Sequence, residues 1–284
     1  MRVSVIQMNS VNDKQANLRQ ARRLAEDAIA ADGPDLISFP ENMSWCGGSP
    51  QDRLAAAEDI ATGPTYALCR DLAVTHGIWV HCGTIPERAP HEPRNRNTTL
   101  VFNRDGLEAG RYSKIHMFDM ETPDGQVYRE SAVNQPGTGI ATVELEGGLR
   151  AGLTVCYDIR FAELYVALAK AGVDVLFVPA AFTMQTGRDH WEVLLRARAI
   201  ETQCWVIAAA QSGEFPVPDG RRQMYGRSMI IDPWGTVVAQ ASDGPGWATG
   251  SVDRESLTNV RARMPTLQHR RRWGENGLVQ GPDV

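Results

Sequence analysis

A pattern of strand, helix, strand and proline occurs twice in this chain of 284 residues, and it constrains the fold more than any other feature. Apolar residues alternate or run together in the strands and recur at helical spacing in the helices. The segments are residues 2–7, 14–31 and 35–40 in the first half, and residues 151–156, 163–171 and 174–179 in the second. Parallel strands joined by helices must be covered by helices, so the pattern predicts an α/β fold with two related halves.

The remaining segments are predicted to extend these two halves. Further strands are expected at residues 78–83, 98–102, 205–210, 228–231 and 236–239, and a further helix at residues 188–203. Composition typical of surface loops occurs at residues 47–51, 89–97 and 214–222. No segment has the composition of a linker, so we expect one domain over residues 1–284, with residues 266–284 as a C-terminal tail.

Charge and composition argue against two classes of partner. The formal net charge is -5 at pH 7, whereas nucleic-acid binding needs concentrated Lys and Arg, and the one dense basic run, residues 269–272, lies in the tail. No apolar stretch approaches the roughly 20 residues of a membrane helix, so we expect neither nucleic acid nor membrane as a partner. The five cysteines include no close pair and no zinc-site spacing, and the N-terminal residues lack a secretory signal. We therefore expect a cytoplasmic protein with reduced thiols and no metal.

Cys156 is the first candidate for a catalytic residue. It ends a predicted apolar strand and precedes a polar turn, and sites in α/β proteins form beyond the carboxyl ends of strands. Amide dipoles at such a turn favour the thiolate, which is the nucleophilic form of cysteine. A buried, inert cysteine remains the alternative on this local pattern. Cys46 follows Trp45 in a predicted loop near Glu41, and we expect it to border a pocket without reacting.

Glu41 and Lys114 are charged residues in unusually apolar contexts. Glu41 follows Phe39 and Pro40 at the end of a predicted buried strand, where partial desolvation suits a carboxylate to proton transfer. Lys114 lies in the apolar and aromatic segment 112–118, which is a poor composition for a surface. When each segment is considered alone, an ordinary surface side chain remains the alternative for both residues.

Taken together, the three segments resemble the nitrilase superfamily of carbon–nitrogen hydrolases. Glu41 in Phe-Pro-Glu, Lys114 in Tyr-Ser-Lys-Ile-His and Cys156 in Thr-Val-Cys-Tyr-Asp-Ile-Arg-Phe occur in the order and spacing of that family. The resemblance covers nearly the whole chain. The segments that are similar to the Nit branch of amidases are residues 181–183, 190–201 and 232–238.

This resemblance implies a four-layer α-β-β-α sandwich and a cysteine-dependent amidase without a metal or other cofactor. In such a site Cys156 attacks the amide carbonyl, and a thioester forms as ammonia leaves. Glu41 transfers the protons, and Lys114 stabilises the oxyanion. Glu130 resembles the supporting glutamate of the branch, which holds Lys114 charged and oriented. The resemblance also implies a homodimer or higher homo-oligomer, joined through helices next to the catalytic cysteine.

A small carboxylated amide is the substrate that the resemblance implies. Residues 208–213 are closer to the deaminated-glutathione amidases than to the ω-amidases, so deaminated glutathione is the expected substrate. The alternatives are an ω-amidase acting on α-ketoglutaramate and an N-carbamoyl amino acid amidohydrolase. A catalytically idle binding protein of the same fold is the alternative from another class.

Four residues near strand ends are expected to contact the substrate: Tyr157, Arg160, Phe182 and Thr183. The planar guanidinium of Arg160 suits a substrate carboxylate. An internal ion pair of Arg160 with Asp158 or Glu163 fits the sequence equally well.

Overall fold

The computed structural model describes residues 1–122, 125–273 and 277–282. The strands are β1 Arg2–Gln7, β2 Leu36–Ser38, β3 Trp79–His81, β4 Ile85–Glu87, β5 Arg96–Phe102, β6 Glu108–Ser113, β7 Asp119–Glu121, β8 Val127–Arg129, β9 Thr142–Glu144, β10 Arg150–Leu153, β11 Val175–Phe177, β12 Trp205–Ala208, β13 Ser212–Val217, β14 Gly220–Tyr225, β15 Met229–Ile231, β16 Val237–Gln240, β17 Gly246–Ser251, β18 Arg271–Trp273 and β19 Val279–Pro282. The α-helices are α1 Lys14–Asp32, α2 Pro50–Ala55, α3 Pro64–His76, α4 Ala162–Lys170, α5 Met184–Thr186, α6 Glu192–Thr202, α7 Arg254–Arg263 and α8 Thr266–His269. Short 3₁₀ turns cover Glu130–Ala132, Glu146–Gly148 and Cys156–Arg160, and a π-helical turn covers Gly187–Trp191.

Two sheets form the centre of the described structure. The first has the strand order β17-β1-β2-β3-β5-β4, with β6 paired to β5, and the second has the order β16-β15-β12-β11-β10-β9. In each sheet three neighbouring strands run parallel: β1, β2 and β3 in the first, and β10, β11 and β12 in the second. Helices α1 and α3 connect the first set, and α4 and α6 connect the second. The predicted α/β fold with two related halves is confirmed.

The sheets pack face to face, and helices cover their outer faces. His81 of β3 stacks on Phe177 of β11 across the sheet interface, with the ring centroids 4.3 Å apart. On the outer face of the first sheet, Ile37 of β2 belongs to an apolar cluster with residues of α1 and α3. On the outer face of the second sheet, Gly152 of β10 lies against Leu168 of α4. The layers are therefore α-β-β-α, as the sequence resemblance implied.

His81 also links β2 and β5, which precede residues of the site described below. Its imidazole is hydrogen-bonded to Ser38 of β2 and to Thr99 of β5, in both cases at 2.8 Å. Burial lowers the pKa of His81 to about 3, so the ring is neutral near pH 7. A neutral imidazole donates one hydrogen bond and accepts another, which satisfies both nitrogens of this fully buried ring.

Several predicted boundaries are wrong. Residues 214–222, predicted as a loop, belong to a hairpin of β13 and β14. Pro216 removes a backbone donor there, and a two-stranded sheet tolerates this because both strands are edges. The predicted helix at residues 188–203 begins as the π-helical turn and becomes α-helical only at Glu192. The predicted loops at residues 47–51 and 89–97 end early, because α2 begins at Pro50 and β5 at Arg96.

The predicted C-terminal tail contains α8 and the hairpin of β18 and β19. Two parts of that tail, residues 274–276 and 283–284, lie outside the described residues. Within the described ranges, none of the helices is long and apolar enough to span a membrane.

Candidate active site

Glu41, Lys114 and Cys156 lie together although they are far apart in the sequence. Glu41 follows β2, Lys114 directly follows β6, and Cys156 opens the turn after β10. All three line one cavity of about 320 Å³, which Glu130 also lines. The first two residues follow strands of the first sheet, and Cys156 follows a strand of the second. The cavity is therefore formed beyond strand ends of both halves, which is where α/β folds form their sites.

Glu41 is 3% exposed, and both of its carboxylate oxygens have partners. Oε1 accepts hydrogen bonds from Lys114 Nζ and Asn97 Nδ2, both at 2.9 Å. Oε2 accepts a hydrogen bond from the backbone N–H of Ala181 at 3.0 Å. Gln211 Nε2 donates to the backbone carbonyl of Glu41 at 2.9 Å, which fixes the loop that carries the carboxylate. Together these contacts hold the Glu41 side chain in one orientation.

Lys114 lies between two carboxylates in the cavity wall. Its Nζ is 2.9 Å from Glu41 Oε1 and 2.7 Å from Glu130 Oε2, and its side chain is 1% exposed. Burial alone would lower the pKa of Lys114, but the charges of Glu130 and Glu41 outweigh burial and raise that pKa well above its ordinary value. The backbone N–H of Phe118 also donates to Glu130, at 2.8 Å. Lys114 is therefore a fixed positive charge, held by Glu130 as well as by Glu41.

Cys156 has a strained backbone conformation at the start of its turn. Its φ is +48°, in the left-handed region that residues other than glycine seldom occupy. The backbone N–H of Cys156 donates to the carbonyl of Pro179 at 2.9 Å, which helps to hold the strained residue. The carboxylate of Glu41 and the backbone N–H of Ala181 lie close enough to the thiol to affect its pKa. Strain of this kind persists where the surrounding structure enforces it, and it concentrates at functional sites.

The thiol of Cys156 is protonated in this environment. Burial raises its pKa well above the ordinary value, the charge of Glu41 adds to that rise, and Lys114 opposes it. The amide N–H of Ala181 lowers the pKa of the thiol, as expected of an amide dipole, but burial outweighs it. A protonated thiol needs a base to become a nucleophile, and the carboxylate of Glu41 lies close enough to raise its pKa.

The backbone N–H of Tyr157 is a second hydrogen-bond donor beside the thiol. It lies in the first residues of the turn Cys156–Arg160, where amide groups lack partners within the turn. In the part of the chain that the structure describes, this N–H has no hydrogen-bond acceptor. Together with Lys114 Nζ, it provides the pair of donors that can stabilise an oxyanion.

Asp158 joins the segment that carries the lysine to the turn that carries the thiol. It is fully buried, and it accepts hydrogen bonds from Tyr112 Oη at 2.7 Å and from the Val155 N–H at 2.9 Å. His116 contacts it twice, through the backbone N–H at 3.0 Å and through Nδ1 at 2.7 Å. The relative position of the two segments therefore depends on one carboxylate.

We expect Asp158→Ala to lower the free energy of unfolding by about 3–5 kcal/mol, because several buried donors lose their only acceptor. Urea denaturation monitored by circular dichroism measures this change. Asp253→Ala is the matched control, because Asp253 is an exposed carboxylate that caps α7 through the N–H of Ser256, and its loss should cost only about 1 kcal/mol. Equal decreases in the free energy of unfolding of the two variants would contradict the proposal that Asp158 holds the two segments together.

The predicted substrate-binding residues all line the cavity: Tyr157, Arg160, Phe182 and Thr183. The guanidinium carbon of Arg160 lies 5.7 Å from the ring centroid of Tyr157 and 5.4 Å from that of Phe182. Among the described residues no carboxylate lies within 4 Å of Arg160, and its polar contact is with His190. The internal ion pair with Asp158 or Glu163 is therefore absent there, and the charge of Arg160 is available to a ligand.

Asn97 belongs to this site, and the sequence analysis missed it. Its Nδ2 donates to Glu41 Oε1 at 2.9 Å and to Glu130 Oε1 at 3.2 Å. Asn97 therefore links the two carboxylates that flank Lys114. The sequence places it at the end of a predicted loop, whereas it lies buried in β5. A buried Asn in a strand is unusual, but only the correct start of β5 would have revealed it.

The cavity has further walls that the sequence did not indicate. Arg53 of α2 lies just after the predicted loop at residues 47–51, and Arg222 of β14 lies at the end of the predicted loop at residues 214–222. Phe118 and Tyr128 add aromatic surface to the cavity. Cys46 lines the cavity, as predicted, and burial raises the pKa of its thiol to about 12. Cys46 is therefore a protonated thiol with no base assigned to it.

Known proteins resemble this chain in both sequence and structure. Residues 2–262 match the family model described as carbon-nitrogen hydrolase. The deaminated glutathione amidase of Synechocystis sp. (strain PCC 6803 / GT-S) is 41% identical over 271 residues, which are 94% of this chain and 97% of that relative. The crystal structure of the C. elegans NitFhit protein is 37% identical with a TM-score of 0.87, and the match covers 95% of this chain and 65% of that longer one. Nit3 of Saccharomyces cerevisiae, described as a member of branch 10 of the nitrilase superfamily, is 28% identical with a TM-score of 0.83 over 93% of this chain and 94% of its own.

Proposed function

This chain belongs to the carbon-nitrogen hydrolase family and is an amidase, and we propose that it hydrolyses a small carboxylated amide through a thioester on Cys156. One observation carries the proposal: the carboxylate of Glu41 is hydrogen-bonded to Lys114 Nζ and lies close enough to the thiol of Cys156 to raise its pKa, and all three groups line one cavity. A nucleophile beside a base, and a base oriented by a third group, is the arrangement that covalent catalysis requires.

The first half of the reaction forms the thioester. Glu41 takes the proton of the Cys156 thiol as the sulfur attacks the amide carbonyl carbon. The carbonyl oxygen becomes an oxyanion in the tetrahedral intermediate. When this intermediate collapses, the C–N bond breaks, and Glu41 delivers its proton to the departing nitrogen, so the amine leaves and the acyl group stays on sulfur. The amine is ammonia for a primary amide and cysteinylglycine for deaminated glutathione.

The second half of the reaction restores the thiol. Glu41, again a carboxylate, takes a proton from water as the water oxygen attacks the thioester carbonyl carbon. The C–S bond then breaks, the acid product leaves, and the proton returns from Glu41 to sulfur. The balance is one amide and one water consumed, and one acid and one amine (or ammonia) produced.

Lys114 and the N–H of Tyr157 stabilise the oxyanion in both halves. The raised pKa of Lys114 keeps its charge through neutral and moderately alkaline pH, so the stabilising cation is always present. Glu130 acts as a positioning residue, because it contacts Lys114 Nζ rather than the thiol. Fixed donors of this kind need no reorganisation when charge develops in the transition state.

For the substrate we propose deaminated glutathione. The relative from Synechocystis carries that name, which supports the proposal at 41% identity. The cavity volume of about 320 Å³ is within the range of small-molecule sites. Arg160, which is free of carboxylate partners in the described residues, can bind the substrate carboxylate near the scissile amide.

Hydrolysis of deaminated glutathione, α-ketoglutaramate and an N-carbamoyl amino acid tests this proposal, with cysteinylglycine measured for the first compound and ammonia for the other two. We expect deaminated glutathione to give the largest kcat/KM, and we expect Arg160→Met to lower that value about tenfold or more because a charged hydrogen bond is lost. A larger kcat/KM on α-ketoglutaramate or on the carbamoyl compound would reject the proposed substrate. No hydrolysis of any of the three would favour an idle binding protein.

We also propose that the chain forms a homodimer or higher oligomer through α6 and the hairpin of β15 and β16. Val193 and Ile200 of α6 are 67% and 43% exposed, and Trp234 in the hairpin is 58% exposed. Gly235 lies against Ile200, so the helix and the hairpin form one surface. Exposed apolar side chains gathered on one surface are typical of an interface.

Replacement of Trp234 by Glu is expected to convert the oligomer to a monomer, because a charge in an apolar interface is left without a partner. Light scattering coupled to size exclusion measures the mass. Val74→Glu is the matched control, because Val74 is 51% exposed on α3, at the opposite outer layer of the sandwich. A monomeric unaltered protein at micromolar concentration would contradict the proposal.

A further inference from the structure

Two arginines of the cavity wall have no role in the mechanism above. Arg53 lies in α2 and Arg222 in β14, and both line the cavity that contains Cys156 and Lys114. The charge of Arg222 contributes to the lowered pKa of Arg53, so the two guanidinium groups are close enough to repel each other. Two like charges that converge on one cavity need a compensating anion.

Arg53 lacks that anion within the described residues. Its Nε is fully buried and has no hydrogen-bond partner there, and none of the described carboxylates lies within 4 Å of its guanidinium. Burial lowers the pKa of Arg53, and only the more distant charge of Glu130 substantially opposes that. An N–H in this state lowers the stability of the folded chain, because it has lost water without gaining a described partner. Such a group is typical of a ligand site.

Arg222 is also poorly neutralised by the described residues. Its guanidinium carbon lies 4.3 Å from the ring centroid of Tyr128, and it donates to the carbonyl of Val127 at 3.2 Å. Among the described carboxylates, Asp219 pairs with it at 4.0 Å and is 76% exposed, and such an exposed contact contributes little. The ring of Tyr128 therefore orients Arg222 without cancelling its charge.

These arginines are separate from Arg160 along the cavity. Arg160 lies over Tyr157, which directly follows the nucleophile, whereas Arg222 lies over Tyr128. The ring of Phe118 contacts both tyrosines, with centroid distances of 5.1 Å to Tyr157 and 5.0 Å to Tyr128. A row of three aromatic rings therefore runs between two cationic positions, one beside the thiol and one remote from it.

We infer that Arg53 and Arg222 form a second anion subsite, which binds a carboxylate at the end of the substrate remote from the scissile amide. The inference rests on the proposed amide hydrolysis and specifies its substrates. The preferred amides carry two carboxylates, and the remote carboxylate binds to these two arginines. Two guanidinium groups match a carboxylate because each provides parallel N–H donors. Arg53 and Arg222 are thus specificity-determining residues rather than catalytic ones.

The test compares kcat/KM for deaminated glutathione and for its glycine methyl ester, which keeps the scissile amide but lacks the remote charge. The unaltered enzyme is expected to prefer the free carboxylate by about tenfold or more. Arg53→Met and Arg222→Met should each reduce that preference to within about threefold, and Arg53→Lys should restore part of it. Arg221→Met is the matched control and should keep the full preference, because Arg221 neighbours Arg222 but pairs with the exposed Glu214.

Thermal unfolding without substrate separates a binding role from a structural one. Arg53→Met should raise the melting temperature, because it removes a buried charge that has no described partner. A lower melting temperature, together with equal losses of kcat/KM on both amides, would overturn the subsite. Hydrolysis of both amides with equal kcat/KM by the unaltered enzyme would also overturn it and leave amide hydrolysis standing. No cysteinylglycine or cysteinylglycine methyl ester from either amide would overturn the proposed hydrolysis of deaminated glutathione, and the subsite with it.

Discussion

Cys156→Ala is expected to lower kcat for hydrolysis of deaminated glutathione by about 10⁵-fold or more, because it removes the sulfur that forms the acyl intermediate. The fold should survive the change, since Cys and Ala tolerate the left-handed conformation at this position to a similar degree. Stopped assays for cysteinylglycine measure the loss, and circular dichroism confirms the fold.

Cys46→Ala is the matched control for that loss. Both thiols are buried and line the same cavity, and the charge of Glu41 raises the pKa of both, but only the pKa of Cys156 is also affected by Lys114 and by a hydrogen bond with Glu41. We expect Cys46→Ala to keep kcat within about threefold of the unaltered enzyme, since a buried thiol without a base stays protonated and inert. A large loss of kcat in Cys46→Ala, combined with an active Cys156→Ala, would show that Cys46 is the nucleophile instead of Cys156.

Lys114→Met is expected to lower kcat about 10³-fold, which is the usual cost of losing one oxyanion donor. It should also lower the free energy of unfolding by about 3–5 kcal/mol, because Glu41 and Glu130 then remain buried without their cation. Protonation of either carboxylate removes this repulsion, so the stability deficit should shrink as the pH falls from 8 to 5. Single-turnover kinetics and urea denaturation at several pH values measure the two effects.

Lys14→Met provides the comparison, because Lys14 also pairs with a buried carboxylate, Glu58, at 2.8 Å, but lies outside the cavity. It should lower stability and leave kcat unchanged. A Lys114→Met enzyme that loses stability but keeps kcat would contradict the oxyanion role and leave only a structural one.

Local sequence patterns were sufficient for the class of the fold, whereas its four layers were implied by the family resemblance. Apolar periodicity is a property of neighbouring residues, so it indicated the parallel strands and their helices in both halves. It also placed Glu41 and Cys156 at strand ends, and the resemblance to the family then grouped them with Lys114. The hairpin at residues 214–222 was missed because prolines and polar residues in a short edge strand look like a loop.

The parts of the site that were missed depend on contacts between distant segments. Asn97 belongs to the site because it donates a hydrogen bond to Glu41, which lies 56 positions away in the sequence, and no local pattern indicates such a partner. The raised pKa of Cys156 likewise depends on distant segments, since the turn supplies an amide dipole but burial by other segments outweighs it. No sequence pattern singled out Arg53, whose buried Nε has no hydrogen-bond partner among the described residues.

The arrangement of the site explains how a protonated thiol can serve as a nucleophile. Lys114 is fixed by two carboxylates, and one of these, Glu41, also lies close enough to the thiol to raise its pKa. A proton can therefore pass from sulfur to Glu41 without leaving the cavity, while the lysine remains charged to receive the oxyanion. In the proposed mechanism, Glu41 thus links the thiol of Cys156 to the charged amine of Lys114.

The thioester on Cys156 is the central claim, and the mass of the acid-quenched enzyme during turnover tests it most directly. The account predicts that the enzyme gains the mass of the acyl group of deaminated glutathione, that peptide mapping places the gain on Cys156, and that Cys156→Ala shows no gain. Steady release of cysteinylglycine with no covalent adduct at any quench time, or an adduct on another residue, would contradict it.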